Sequence, residues 1–238
     1  MALEWQTGRV TRIEQATYNT RSYWIELPGV SEFNFKPGQF VTLDLPIHEQ
    51  RNKRWRSYSI ASMPSGSNII ELLIVFVEGG LASKYIFEEV VVGTEFQLRG
   101  PQGNFVLPDI LEKTVYLICT GTGIAPFHSM LHYLNYHNIP HNQIHLIFGS
   151  RTRADLLYEE TMRGLEKMMP AFTYHPTLSR EDWEGNKGYV HAIYEDLAKE
   201  HHPAMFMLCG WRAMIDEARE RIVTMGYDKK DIHLELYG

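Results

Sequence analysis

The sequence predicts two domains of different class, an antiparallel β-barrel followed by an α/β domain built on a parallel sheet. Three observations carry this. The first half is a series of short runs rich in β-branched and aromatic residues, with Gly and Pro at their boundaries. Beyond Gly100-Pro101-Gln102-Gly103, continuous apolar runs alternate with segments of helical period. The third is Cys119-Thr120-Gly121-Thr122-Gly123-Ile124-Ala125-Pro126, a glycine-rich turn between a buried strand and a helix. Placing the boundary at Pro108 divides the chain into residues 1–108 and 109–238.

In order, Gly8–Thr17, Arg21–Leu27, Phe40–Leu45, Arg56–Ala61 and Ile69–Val77 read as strands, Leu81–Glu88 as a short helix and Glu95–Leu98 as a strand. Short strands so regularly spaced favour closure, which removes exposed edges. In the second half, Val115–Cys119 is apolar at every position, as a strand buried on both faces requires. A helix over Ile124–His137, a strand over Ile144–Phe148, a helix over Ala154–Met168 and a strand over Phe172–His175 follow. A helix over Val190–Lys199, a strand over Met205–Leu208, a helix over Arg212–Met225 and a strand over Ile232–Leu236 complete the alternation. Ligands of such sheets bind beyond the carboxyl ends of the strands.

Composition narrows the function classes. With 44% hydrophobic and 22% charged residues the chain can bury a core, and a net charge of −6 argues against general nucleic-acid binding. The longest apolar stretch, 114–119, is far too short to span a membrane, and the N-terminus shows no secretory signal. Two cysteines, Cys119 and Cys209, supply neither a disulfide framework nor the thiolates of an iron–sulfur cluster, which points to a cytoplasmic setting. His128 and His132 stand i,i+4 on a helix and His201-His202 are adjacent, but no third ligand completes a metal site, so solvated or helix-capping roles are expected. The run Arg51-Asn52-Lys53-Arg54-Trp55-Arg56 is either a solvated face or a docking patch for an acidic partner.

Two motifs carry chemistry. In the turn from Thr120 to Pro126, glycines permit a tight bend, and the following helix N-terminus offers N–H groups to an anion such as a pyrophosphate. The spacing is not G-x-G-x-x-G, and a purely structural turn is the alternative. In Arg56-Ser57-Tyr58-Ser59-Ile60-Ala61-Ser62, strand alternation puts Arg56, Tyr58 and Ile60 on one face, able to hold a phosphate and stack on a flat ring. An ordinary amphipathic strand would read the same way.

Together these motifs resemble the plant-type ferredoxin–NADP⁺ reductases, within the superfamily of FAD- and NAD(P)-binding oxidoreductases. Phe35-Lys36-Pro37-Gly38-Gln39-Phe40, the Arg56–Ser62 strand, Gly80-Leu81-Ala82-Ser83, Thr120–Pro126, Leu208-Cys209-Gly210 with Met214, and Glu235-Leu236-Tyr237 match its motifs in order. The resemblance implies an N-terminal FAD-binding barrel and a C-terminal NAD(P)-binding domain. It implies that Arg56 neutralises the flavin pyrophosphate and Tyr58 packs on the isoalloxazine, with Ile60 beside them. The backbone of Gly80, Leu81, Ala82 and Ser83 would meet the flavin pyrophosphate, and Thr120, Thr122, Gly123, Ile124 and Pro126 that of the nicotinamide dinucleotide. Ser59, Cys209, Glu235 and Tyr237 would form the catalytic set: Ser59 near flavin N5, Cys209 beside the transferred hydride with Gly210 and Met214, Glu235 bonding or relaying protons, Tyr237 covering the flavin.

Ser179, Arg180, Lys187 and Tyr189 resemble the family's site for the 2′-phosphate and adenine of NADPH, and Arg151 adds charge. NADPH is the expected donor, with NADH possible. The acceptor the resemblance implies is a small carrier, ferredoxin or flavodoxin, or an oxygenase component. The alternatives are an NADH-dependent oxygenase reductase, a free-flavin reductase, and a nucleotide-binding redox-sensing subunit without turnover. No nucleic-acid or membrane partner is expected.

Overall fold

The computed structural model describes residues 4–237, with the side chain of Tyr237 outside the description. The chain divides into two compact units, one of residues 1–106 and 128–133, the other of 107–127 and 134–238.

The first unit is one antiparallel sheet. Its strands are β1 (Gln6–Thr17), β2 (Thr20–Glu26), β3 (Phe40–Asp44), β4 (Trp55–Ser59), β5 (Ile69–Val75) and β6 (Glu95–Gln102), in the order β4-β3-β6-β1-β2-β5. A further bridge between Ile60 and Leu72 joins the end of β4 to β5, so the two outer strands of the sheet meet. Side chains alternate across a pleated strand, and Val10, Tyr23, Ile25, Val41, Leu43, Ile70, Leu72, Phe96 and Leu98 all turn inward to one core. Fully burying an aliphatic or aromatic side chain contributes roughly 1.5–3 kcal/mol, so this row is the main stabilising feature of the unit. The helix α1 (Leu81–Glu88) adds Ala82 and Ile86 to the same core, and the Tyr23 hydroxyl donates to the Ile86 carbonyl at 3.2 Å.

The second unit carries a parallel sheet of β7 (Thr114–Thr120), β8 (Ile144–Ser150), β9 (Phe172–Leu178), β10 (Asn186–Lys187), β11 (Ala204–Trp211) and β12 (Ile232–Tyr237). The order is β10-β9-β8-β7-β11-β12. The chain winds outward from β7 to one side, then returns to build the other, so the topological switch lies between β7 and β11. That is where open parallel sheets place their ligand crevice. Its helices are α3 (Glu159–Met168), α4 (His191–Leu197) and α5 (Arg212–Thr224), while α2 (Ala125–Tyr136) has residues 128–133 in the first unit.

Several expected elements end differently. The helix expected over 154–168 is interrupted: Thr152 and Asp155 close a capping box around a short 3₁₀ turn, Leu156 and Leu157 turn into the core, and Tyr158 adopts φ 55° before α3 begins. Helical periodicity cannot register this, because the capping bonds are side chain to backbone. The helix after the phosphate turn starts at Ala125, since Gly121–Ile124 form a 3₁₀ turn. The strand β10 is two polar residues long and has no periodic signature.

Candidate functional site

In the first unit, the pairing of β3 with β4 sets the faces of the Arg56–Ser62 motif. Leu43 pairs with Arg56 and Val41 with Tyr58, so Arg56 and Tyr58 share the face of two core residues. The Arg56 guanidinium donates to the carbonyls of Lys53 at 3.1 Å and Trp55 at 2.8 Å, which holds it at the start of the strand. Tyr58 packs against the core, and burial pushes its hydroxyl well above the usual phenol range, so it stays neutral. Ile60 is fully buried, leaving only its backbone to meet a ligand, and Ser59 is buried beside it. Ser57 faces the other way, its hydroxyl 3.1 Å from that of Thr42.

The turn leading into α1 is shaped for close approach. Gly79 has φ +75° and nothing within 4 Å of where a side chain would start. The Ser83 hydroxyl braces the turn through Val77 and Gly80, leaving Leu81 exposed at the first helical position. A first helical turn has N–H groups without intrahelical acceptors, which suits a phosphate. The Arg56 cation, the Tyr58 ring and the open backbone at Gly79 suit the polar and flat parts of a flavin nucleotide.

The basic run is not uniform. Arg54 Nε lies 2.8 Å from Asp44 Oδ1 and Arg51 Nε 3.5 Å from Asp44 Oδ2, with the Asp44 side chain only 6% exposed. Lys53 is exposed, and the Arg51 side chain remains 62% exposed.

In the second unit the turn after β7 uses each glycine differently. A side chain on Gly123 would meet the Cys209 carbonyl oxygen at 2.3 Å, and one on Gly210, with φ +143°, would meet Thr120 Oγ1 at 2.5 Å. These two glycines let β7 and β11 close on each other. Gly121, with φ +54°, has only Trp211 Nε1 nearby at 3.8 Å, so its backbone is the part a phosphate can approach. Thr120 and Thr122 border this opening, Ile124 is buried, and Pro126 occupies the first turn of α2, where a missing N–H costs no helical bond.

Cys119, Cys209 and Glu235 pair in register across β7, β11 and β12, and residues so paired point to the same side of the sheet. Cys209 is fully buried, and Glu235 is half-buried on the outer strand. Tyr237 pairs with Trp211, but its side chain lies outside the described residues. Met214, on the first turn of α5, packs against the core. Trp211, which no sequence motif singled out, is 60% exposed beside Gly121. Its position directly after Cys209-Gly210 was the available signal.

At the far edge, the Arg180 N–H donates to the Arg151 carbonyl at 2.9 Å, bringing two exposed arginines to adjacent strand ends. The Ser179 hydroxyl donates to the Ser150 carbonyl at 3.3 Å, and Tyr189 is 74% exposed. Lys187 is paired with Asp182, and the Arg153 N–H donates to Glu181 at 2.7 Å, so acids interleave with the cations here.

The histidines on α2 depart from expectation. His128 is neither solvated nor a helix cap: its Nδ1 lies 2.7 Å from the Ala61 carbonyl oxygen, and its ring centre is 4.4 Å from that of His132. Burial lowers the pKa of both to about 4, with His128 adding to the shift of His132, so both are neutral near pH 7. Among the described residues, no group of three or more His, Cys, Asp or Glu side chains is arranged to hold a metal ion, and no helix is long and apolar enough to cross a membrane.

Residues 7–107 match the family described as an oxidoreductase FAD-binding domain, and residues 117–220 the oxidoreductase NAD-binding domain. The chain is 33% identical over 216 residues to ferredoxin–NADP reductase B of Sorangium cellulosum, covering 86% of each. It is 31% identical over 193 residues to the anthranilate 1,2-dioxygenase electron transfer component of Acinetobacter baylyi, covering 80% of this chain. It spans only 54% of that relative's length. Among solved structures, the cytochrome P450 reductase GcoB of Amycolatopsis superposes with a TM-score of 0.87 at 25% identity, over 98% of this chain and 70% of the other.

Proposed function

The chain belongs to the ferredoxin–NADP reductase-like family of FAD- and NAD(P)-binding oxidoreductases, and from that premise we propose that it passes electrons from NADPH through bound FAD to a one-electron carrier. The carrying observation is that the phosphate loop, Cys209 and Glu235 gather at the carboxyl ends of β7, β11 and β12, at the switch point of the second sheet. FAD, when bound, accepts a hydride and releases electrons singly. The chain's own part is to bind and orient. Arg56 and the start of α1 would hold the flavin pyrophosphate, Tyr58 would support the ring, and Ser59 would stand near its reactive edge. The backbone around Gly121 would seat the nicotinamide dinucleotide, Cys209 would lie beside the nicotinamide, Glu235 would hold or relay a proton, and Tyr237 would cover the flavin.

NADPH is the donor this reading favours, supported by the paired exposed arginines Arg151 and Arg180 with Ser179 between the same strand ends. Lys187 and Tyr189 would complete the 2′-phosphate and adenine contacts. The acceptor is an acidic carrier such as a ferredoxin or flavodoxin, steered by Arg51, Lys53 and Arg54. A second reading, an NADH-dependent reductase serving an oxygenase, is favoured by the acids among these cations: Asp182 occupies Lys187, and Glu181 engages the backbone of Arg153. An acid near the ribose suits a 2′-hydroxyl. The chain's similarity to a dioxygenase electron transfer component is in keeping with it. Two buried cysteines outside any disulfide agree with a cytoplasmic location.

Anaerobic stopped-flow mixing of the yellow protein with each nucleotide separates these readings. Fast bleaching by NADPH and slow bleaching by NADH is the expected result, and Arg180→Ala should weaken NADPH far more than NADH. Equal or faster reduction by NADH moves the assignment to the oxygenase reductase. A colourless protein that oxidises nucleotide only with added flavin is a free-flavin reductase.

A further inference from the structure

The backbone that follows Ser59 is held by several hydrogen bonds. The Ile60 N–H donates to the Gln39 carbonyl at 3.0 Å, and the Ala61 N–H to the Glu71 carbonyl at 2.8 Å. The Glu71 N–H donates to Ser62 Oγ at 3.0 Å. The carbonyls of Ala61 and Ser62 are taken by consecutive residues of α2. His128 Nδ1 reaches the Ala61 carbonyl oxygen at 2.7 Å, and Ser129 Oγ donates to the Ser62 carbonyl oxygen at 2.6 Å. A carbonyl can only accept, so His128 is the tautomer with its proton on Nδ1.

Both donors lie about 67 residues along the chain from their acceptors, so neither bond is a local turn. Ser129 is fully buried, and burial keeps His128 neutral, so the bonds form away from water. Solvent could satisfy two carbonyls beyond a strand end, but it would leave the segment able to shift. Side chains held by packing are what fix a reactive group within the small tolerance that chemistry needs.

We propose that His128 and Ser129 are positioning residues, which hold the Ala61–Ser62 backbone and so set where the Ser59 hydroxyl stands against bound flavin. This rests on the FAD-binding reading of the Arg56–Ser62 strand. Neither residue touches the cofactor; both act through Ser59.

The test uses the flavin-loaded protein and the variants His128→Ala, His128→Asn, Ser129→Ala and Ser59→Ala. Amide exchange over 59–62, the visible flavin spectrum, and the rate and nucleotide dependence of reduction by NADPH are read together. His128→Ala should speed exchange over 59–62, shift the flavin bands and slow reduction roughly tenfold at saturating NADPH, because small misplacements at a reacting centre cost rate rather than binding. The NADPH dissociation constant should stay within about twofold, since the nucleotide loop is untouched. His128→Asn, whose amide can replace the Nδ1 donor, should restore all three readouts. Adding Ser59→Ala to His128→Ala should cost less than it does alone. Ser129→Ala removes a single hydroxyl and should show the same pattern more weakly, which keeps the test available if His128→Ala does not fold. An unchanged spectrum and rate in both variants, or a lowered melting temperature that His128→Asn repairs without any change at the flavin, would overturn the proposal. A wild-type protein that binds no FAD overturns the underlying reading and this inference with it, whereas a normal wild type with silent variants sinks the inference alone.

Discussion

The carbonyl oxygen of Cys209 stands 2.3 Å from the point where a side chain on Gly123 would begin. The phosphate loop and the β11 strand end are therefore in backbone contact, with no room for even a methyl group between them. Gly123→Ala should cost about 1–3 kcal/mol by overpacking and weaken nucleotide binding together with stability. Gly121→Ala should behave differently. It meets no close neighbour, so its cost is the roughly 1–2 kcal/mol of a left-handed non-glycine residue, while its methyl projects where phosphate approaches. Melting curves paired with NADPH titrations check the split: the loss of affinity should exceed the loss of stability in Gly121→Ala only.

Gly164 lies inside α3 with open space around it. Glycine in a helix interior is less favourable than alanine by about 1 kcal/mol. Gly164→Ala should raise the denaturation midpoint by that order with flavin reduction unchanged, and a lowered midpoint would refute the helical assignment there.

Acid should destabilise the first unit before the carboxylates titrate. Burial holds the His128 pKa at about 4 against an ordinary value of 6.5, partly offset by its bond to Ala61. Between these values the unfolded chain binds a proton that the folded chain does not, so stability falls as pH drops through the window. His128 alone contributes on the order of 3 kcal/mol of this loss, and His132, which faces it near Glu71, acts in the same direction. Urea midpoints measured from pH 7 to 4 should decline less steeply in His128→Asn.

Asp44 binds Arg51 and Arg54 from a nearly buried position. Asp44→Ala leaves Arg54 without its partner and should cost about 1–3 kcal/mol, below the range for a fully buried pair because Arg54 is partly solvated. The same change removes a negative charge from the basic turn. If that turn receives an acidic carrier, the association rate at low ionic strength should rise, and the difference should vanish at high salt.

The order of elements was legible in the sequence because hydrophobic period is a local property. Leu81–Glu88 was readable as a helix, and strand–helix alternation after residue 114 announced a parallel sheet. The glycine-rich turn was equally plain, since glycine is needed wherever backbone must approach backbone. Elements whose ends depend on side-chain bonds were not. The capping box of Thr152 and Asp155 broke a helix that periodicity extends without interruption.

Local sequence thus sets the kind of each element and the chemistry each motif can offer. Which of these offers meet depends on the folded arrangement. It set β7 between β8 and β11, and divided the glycines of the phosphate turn into those that pack and the one that lies open. It also brought His128 to Ala61 and placed Asp44 between two arginines of the basic run. The difference lies in distance along the chain. Periodicity and turn chemistry act over a few residues, whereas strand order and buried hydrogen bonds join residues scores of positions apart, where one shared core selects the pairing.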